Sequence, residues 1–183
     1  MGNVYLFLAE GFEEVEALSV VDILRRAGLS VKTVSVTGNE CVSGAHGVGV
    51  KADMLFDAAL IGADAEMLVL PGGLPGATNL AAHEGLRGLI LDFGAASRPL
   101  AAICAAPMVY GRLGLLKGRC ATCYPGFEQY MEGAQPTGAM VEQDANFITG
   151  KGPGAAFDFA LAIVAKLAGE AKAGEVKAGM LLA

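Results

Sequence analysis

Apolar and polar positions along this 183-residue chain follow two alternating periods. Short apolar runs at "NVYLFL" (3–8), "SVKTVSV" (30–36), "EMLVL" (66–70) and "PLAAIC" (99–104) read as strands. Between them, "EEVEALSVVDILRRAG" (13–28) and "EGLRGLILDFGAA" (84–96) repeat their apolar positions at helical spacing. In the first helix Ala17, Val20, Val21, Ile23, Leu24 and Ala27 form one stripe at ~100° per residue, and Gly28 closes it. A Gly-rich, hairpin-like section follows the second strand through residue 52. Another helix is predicted from about residue 106, then short strands at "RCATC", "AMVEQ" and "NFITGKG", then a last long helix, "AAFDFALAIVAKLAG". Short buried strands separated by amphipathic helices predict a parallel sheet covered on both faces. With no linker, repeat or low-complexity segment, residues 1–183 read as one α/β domain.

Composition narrows the partners. The formal charge is −6 and no basic run offsets it, which argues against nucleic acid and anionic membrane. The longest uncharged stretches are broken by Gly and Pro and fall short of the ~18 residues a spanning helix needs. The first strand has no positively charged leader and turns acidic early, unlike a secretory signal, so a cytosolic location is predicted. Free thiols are then expected at Cys41, Cys104, Cys120 and Cys123. "CATC" has CxxC spacing, but it sits in a strand-like run, where residues three apart face opposite sides. There is no second CxxC and the only histidines are His46 and His83, so two structural cysteines are expected there rather than a metal or dithiol site.

In such sheets, sites form at the carboxyl ends of the strands. Cys104 ends a strand and precedes a helix, where unpaired N–H groups would favour the thiolate. Ala101, Ala102, Ala105 and Ala106 would let the backbone turn sharply, as in a nucleophile elbow. A buried cysteine acting as a small hydrophobe is the alternative. If the first helix already includes them, Glu13 and Glu16 project into its apolar stripe, and Glu14 lies at its edge. A carboxylate on a buried face is costly unless it is paired or protonated, and a protonated Glu can donate to a thiolate. The competing reading has Glu13 and Glu16 complementing the helix N-terminus in water. "LVLPGGLPGATN" makes a tight turn that can present a backbone N–H to an oxyanion together with the N–H of Ala105. It is not a P-loop, and "GKGPGA" does not fit the dinucleotide fingerprint.

Together, "LAEGFEEVEALSVVDILRRAG", "LVLPGG", "AAICAAP" and "GKGPGAAFDFALAIV" resemble the ThiJ/PfpI superfamily, nearest its DJ-one-type branch, from the first strand to the end of the chain. The resemblance implies a flavodoxin-like three-layer α/β/α sandwich with a mainly parallel central sheet, usually in a homodimer. It implies a reactive cysteine matched by Cys104, a buried glutamate matched by Glu16, and backbone donors matched by Gly73 and Ala105. It also implies chemistry on small carbonyl compounds of the methylglyoxal class, glyoxalase- or deglycase-like, with no cofactor or metal. The alternative is a non-enzymatic oxidative-stress sensor or redox-regulated chaperone. Two positions depart from relatives. Ala105 stands where the protease-like branch has histidine. Tyr124, a possible substrate contact, stands where many DJ-one-type members have another histidine. A tyrosine donates a hydrogen bond but is a poor proton acceptor near pH 7, so a Cys-His peptidase is not expected. Nor does any phosphate-binding constellation support a role in thiamine synthesis. His46 falls in the hairpin-like section, where a surface-loop histidine, or one reaching a partner's site, is expected.

Overall fold

The computed structural model describes residues 2–182. In chain order the elements are β1 (Asn3–Leu8), α1 (Glu14–Arg26), β2 (Val31–Ser35), β3 (Cys41–Ser43), β4 (Gly49–Lys51), β5 (Met54–Leu55), α2 (Ala58–Asp64), β6 (Ala65–Leu70), α3 (Gly76–Ala82), α4 (Glu84–Ala95), β7 (Leu100–Ile103), α5 (Pro107–Arg112), β8 (Cys120–Ala121), β9 (Gln135–Pro136), β10 (Val141–Asp144), β11 (Phe147–Gly150), α6 (Ala156–Ala168) and α7 (Glu170–Gly179). Seven strands form the main sheet in the order β10-β11-β7-β6-β1-β2-β5. All its pairings are parallel except β10 with β11. The fold is α/β, a flavodoxin-like sheet flanked by helices.

Why the layers form is visible in β1, β6 and β7. Their apolar residues are buried on both pleat faces, as a strand between two helical layers requires. From β1 the chain moves to β2 on one side, and from β6 it moves to β7 on the other. Right-handed crossovers then place α1 on one face and α3 and α4 on the opposite one. On the first face α1 packs against α6, and on the second α3 touches both α4 and α5. Between β1 and β6 the direction of winding reverses, which in open α/β sheets opens a crevice at the strands' carboxyl ends. The loops after β1, β6 and β7 converge there.

α1 is built as its sequence predicts. Ala17, Val20, Val21, Ile23 and Leu24 are buried, Glu14 and Glu16 lie in its first turn, and Arg25 and Arg26 in its last. It ends in a Schellman motif, with Gly28 N–H donating to the Arg25 carbonyl and Leu29 N–H to that of Leu24. The hairpin-like section is the antiparallel pair β3–β4. Two expectations shorten. "RCATC" is a strand only at β8, which pairs with β9 outside the main sheet, and the helix after Cys104 is the two-turn α5. Helices α2, α3 and α7 are additions to the predicted elements.

Candidate active site

Cys104 follows β7 with φ +65°, a left-handed conformation that a non-glycine residue rarely adopts and that costs ~1–3 kcal/mol. Two backbone hydrogen bonds hold it there. Its N–H donates to the Gly150 carbonyl at 2.8 Å, and its carbonyl accepts from Tyr124 N–H at 2.8 Å. The expected elbow is therefore present, clamped between the end of β11 and the segment after β8. The Gly73 and Ala105 N–H groups and the Glu16 carboxyl lie beside the sulfur.

Glu16 has no exposed surface. Its Oε2 accepts from Gly72 N–H at 2.7 Å, while Oε1 is buried without a hydrogen-bond partner. The Gly72 carbonyl accepts from Glu13 N–H at 2.9 Å, so one peptide ties the turn after β6 to the start of α1. Only glycine fits at residue 72. A Cβ there would lie 2.6 Å from Cys104 Cβ and 2.7 Å from Glu16 Oε2. Burial drives the Glu16 pKa up to about 7, against the opposing hydrogen bonds from Gly72 and Cys104, so both its forms are present near neutrality.

The thiol corrects an expectation. Position before a helix predicts an acidic cysteine, yet burial and the adjoining Glu16 carboxylate push Cys104 up to about 12, outweighing the Gly73 and Ala105 N–H groups. α5 has only six residues, and the neighbouring carboxylate opposes a second negative charge. When Glu16 takes up a proton, its repulsion disappears and a donor to the sulfur replaces it. The thiolate and the Glu16 acid are therefore two ends of one proton transfer.

A cleft of about 270 Å³ opens beside this pair, lined by Glu13, Ala45, His46, Gly73, Leu74, Cys104, Ala105, Tyr124 and Phe127. Tyr124 is half-exposed on its wall and also borders a second hollow with Met140 and Lys151. His46 is an exposed surface-loop histidine, as expected, in the turn between β3 and β4, and it also lines this chain's own cleft. Its ring Nδ1 lies 2.8 Å from Glu14 Oε2 and 3.5 Å from Glu13 Oε2. Glu14, placed by the sequence at the edge of the stripe, is instead buried by the hairpin. Its Oε1 accepts from His46 N–H at 2.7 Å and Val48 N–H at 3.4 Å. Burial raises its pKa, but the hydrogen bonds from the His46 ring and nearby backbone outweigh that and hold it at about 2. Ligand atoms of Glu13, Glu14 and His46 lie within 4.8 Å of one another, close enough to share a cation, though both Glu14 oxygens already accept hydrogen bonds.

The remaining cysteines carry no such surroundings. Cys41, Cys120 and Cys123 are free, Cys41 is exposed, and burial pushes Cys123 up to about 12. No helix among the described residues is long and apolar enough to cross a membrane.

The sequence pattern of the DJ-1/PfpI family matches residues 2–166. The chain is 35% identical to Parkinson disease protein 7 homolog of Danio rerio, over 97% of this chain and 95% of that protein. It is 32% identical to Deglycase PH1704 of Pyrococcus horikoshii, over 81% and 89% respectively. It also matches protein DJ-1 homolog B of Arabidopsis thaliana at 35% identity, spanning 41% of that longer protein. Among solved structures, oxidized DJ-1 of Toxoplasma gondii superposes with a TM-score of 0.93 at 33% identity, each chain fully covered.

Proposed function

The chain belongs to the DJ-1/PfpI family, and from that premise we propose that it converts small 2-oxoaldehydes such as methylglyoxal, with Cys104 as nucleophile and Glu16 as proton carrier. The observation that carries this reading is the sulfur itself, strained at an elbow, facing two N–H donors and a buried carboxyl, and opening on a cleft sized for a small molecule. A pKa of about 7 suits Glu16 to give and take protons near neutral pH. As the S–C bond forms at the aldehyde, Glu16 takes the thiol proton and the carbonyl pair moves to oxygen, near the Gly73 and Ala105 N–H groups. Glu16 returns that proton to the oxygen, giving a hemithioacetal. It then removes the C1 hydrogen as a proton, and delivery of that proton to C2 leaves a 2-hydroxyacyl thioester. Water hydrolyses the thioester, releasing a lactate-type acid and the Cys104 thiol. The sequence is redox-neutral and needs no cofactor. A deglycase reading uses the same nucleophile on a glycated carbonyl, and Deglycase PH1704 carries that name.

A second reading has its own support, since a similar fold has been solved oxidized. In it Cys104 sulfur attacks peroxide, an S–O bond forms as O–O breaks, and water leaves. A second peroxide gives the sulfinate, whose oxygens Gly73, Ala105 and the Glu16 acid would hold. Steady-state consumption of methylglyoxal separates the two. Many turnovers per protein, lost in both Cys104→Ala and Glu16→Gln, support the enzyme. Stoichiometric consumption, with a two-oxygen mass gain at Cys104 under peroxide, supports the sensor.

The proposal extends to a cytosolic homodimer built from one domain. Val15 and Leu18 on α1 and Val48 beside β4 are exposed on adjoining elements, an apolar face that a second copy would cover. Light scattering at micromolar concentration should give twice the monomer mass, and the monomer mass would refute it.

A further inference from the structure

The sequence offers no histidine at the position of Tyr124, yet the cleft is not without an imidazole. The geometry points to the Glu14–His46 pair as its second proton carrier, a catalytic dyad on the wall that α1 and the β3–β4 hairpin share. This inference rests on the carbonyl reading of Cys104 and Glu16.

Three features indicate that the imidazole is held in a set orientation. Glu14 is buried, so its charge is costly unless both oxygens are satisfied, and His46 satisfies both, by its backbone N–H on Oε1 and its ring Nδ1 on Oε2. Because a carboxylate only accepts, Nδ1 carries the hydrogen, which leaves Nε2 as the nitrogen that can meet a ligand. The hairpin is also docked for this contact. Ala45 N–H donates to the Phe12 carbonyl at 2.8 Å, Gly11 N–H donates to the Ser43 carbonyl at 2.8 Å, and Gly44 lacks the Cβ that would strike the Glu14 carboxylate. A histidine chosen only for solubility needs none of this.

His46 and Cys104 border the same cleft of about 270 Å³, so a three-carbon substrate bonded to the sulfur would share that cleft with the imidazole, while Glu16 adjoins the sulfur. In the hemithioacetal, Glu16 takes the C1 proton, the C–H pair forms the C1–C2 double bond, and the C2 carbonyl pair takes a proton from His46 Nε2. The enediol then collapses. Glu16 gives its proton to C2, and the C1 hydroxyl returns a proton to His46 as the thioester carbonyl forms. Atoms and electrons balance, and both carriers end as they began.

The charged and titratable groups around the ring are Glu13, just before α1, and Glu14 in its first turn, with Cys104 and Tyr124 on the same cleft. The hydrogen bond that its ring donates to Glu14, with the charges of Glu13 and Glu14, raises the His46 pKa, favouring the acid form this step requires.

The test compares kcat and KM for methylglyoxal across pH in the unaltered protein, His46→Gln and Glu14→Gln, with thermal unfolding as the check on folding. His46 is largely exposed, so His46→Gln should fold normally. Loss of one general acid predicts a kcat about 10²-fold lower with KM little changed, and loss of the alkaline limb of the profile. Glu14→Gln should keep that limb but shift it to lower pH. A native protein that turns over while His46→Gln keeps its kcat and pH profile overturns the dyad alone. A native protein with no turnover overturns the carbonyl reading and the dyad with it.

Discussion

Glu14 and Glu16 are two residues apart in the first turn of one helix, both buried, and the fold drives their acidities in opposite directions. Glu16 faces the crevice between β1 and β6 and receives one strong N–H bond, so burial prevails and its pKa rises to about 7. Glu14 faces the hairpin and receives the His46 ring and two backbone N–H groups, so hydrogen bonding prevails and its pKa falls to about 2. Helix position is common to both and decides neither. What separates them is how many donors meet each carboxylate once water has left. One therefore becomes a carrier able to exchange protons at neutral pH, and the other a permanent anion that fixes and charges an imidazole.

Stability against pH would break or sharpen this contrast, and here the larger effect is expected. Glu16 titrates at about 7 in the folded chain against an ordinary 4.5, so the native state holds its proton more tightly than the unfolded state. Stability should therefore fall as pH rises from 4.5 through 7, by about 3 kcal/mol at the upper end. His46, its pKa also raised, adds a decline of the same sign. Glu14 acts oppositely, since its stabilisation is present above 4.5 and is lost as pH falls toward 2. Urea unfolding at pH 2.5 to 8.5 should show, above pH 5, a shallower decline in Glu16→Gln than in the native protein. Glu14→Gln should keep the Glu16 part of that decline and lose less stability below pH 4.5. Matching slopes for Glu16→Gln and the native chain across pH 5 to 8.5 would mean that burial does not set the Glu16 acidity.

The two carboxylates also show where sequence reading stops. The α1 stripe exposes Glu16 as a buried carboxyl because helical periodicity is local, and the resemblance of four blocks selects it over Glu13. The elbow at Cys104 is equally legible, since a strand, small residues and Pro107 adjoin in sequence. The fate of Glu14 is not. Its partner His46 is 32 positions away, and only the docking of the β3–β4 hairpin brings them together. The acidity of Cys104 escapes for the same reason. Position predicts a field that lowers it, while burial beside Glu16, a contact made through the fold, raises it. Helix α3 escapes sequence reading because it begins at the last glycine of "PGGLPG", where breakers outweigh its apolar residues. In α7 only Ala173 and Val176 are buried, too few to give a periodic signal.

The smallest expected effect concerns Tyr124, and it tests whether two carriers suffice. Tyr124 reaches the site in two ways that a substitution can separate. Its backbone N–H holds the Cys104 carbonyl at 2.8 Å and so helps maintain the elbow, which any residue at this position can do. Its phenol stands half-exposed on the cleft wall with its ring against Gly152, where it can donate one hydrogen bond to a substrate oxygen. Tyr124→Phe removes only the second. A single hydrogen bond contributes about 0.5–1.5 kcal/mol, and about 1.4 kcal/mol is tenfold in rate, so kcat/KM should fall by no more than about tenfold. A general acid–base partner would cost roughly 10²–10⁴-fold. If Tyr124→Phe, with its fold intact, loses as much activity as Cys104→Ala, the phenol is itself a proton carrier. The division of labour between Glu16 and the Glu14–His46 pair would then be wrong. If the loss stays within tenfold while His46→Gln falls much further, the imidazole that borders the cleft, and not the phenol, carries the second proton.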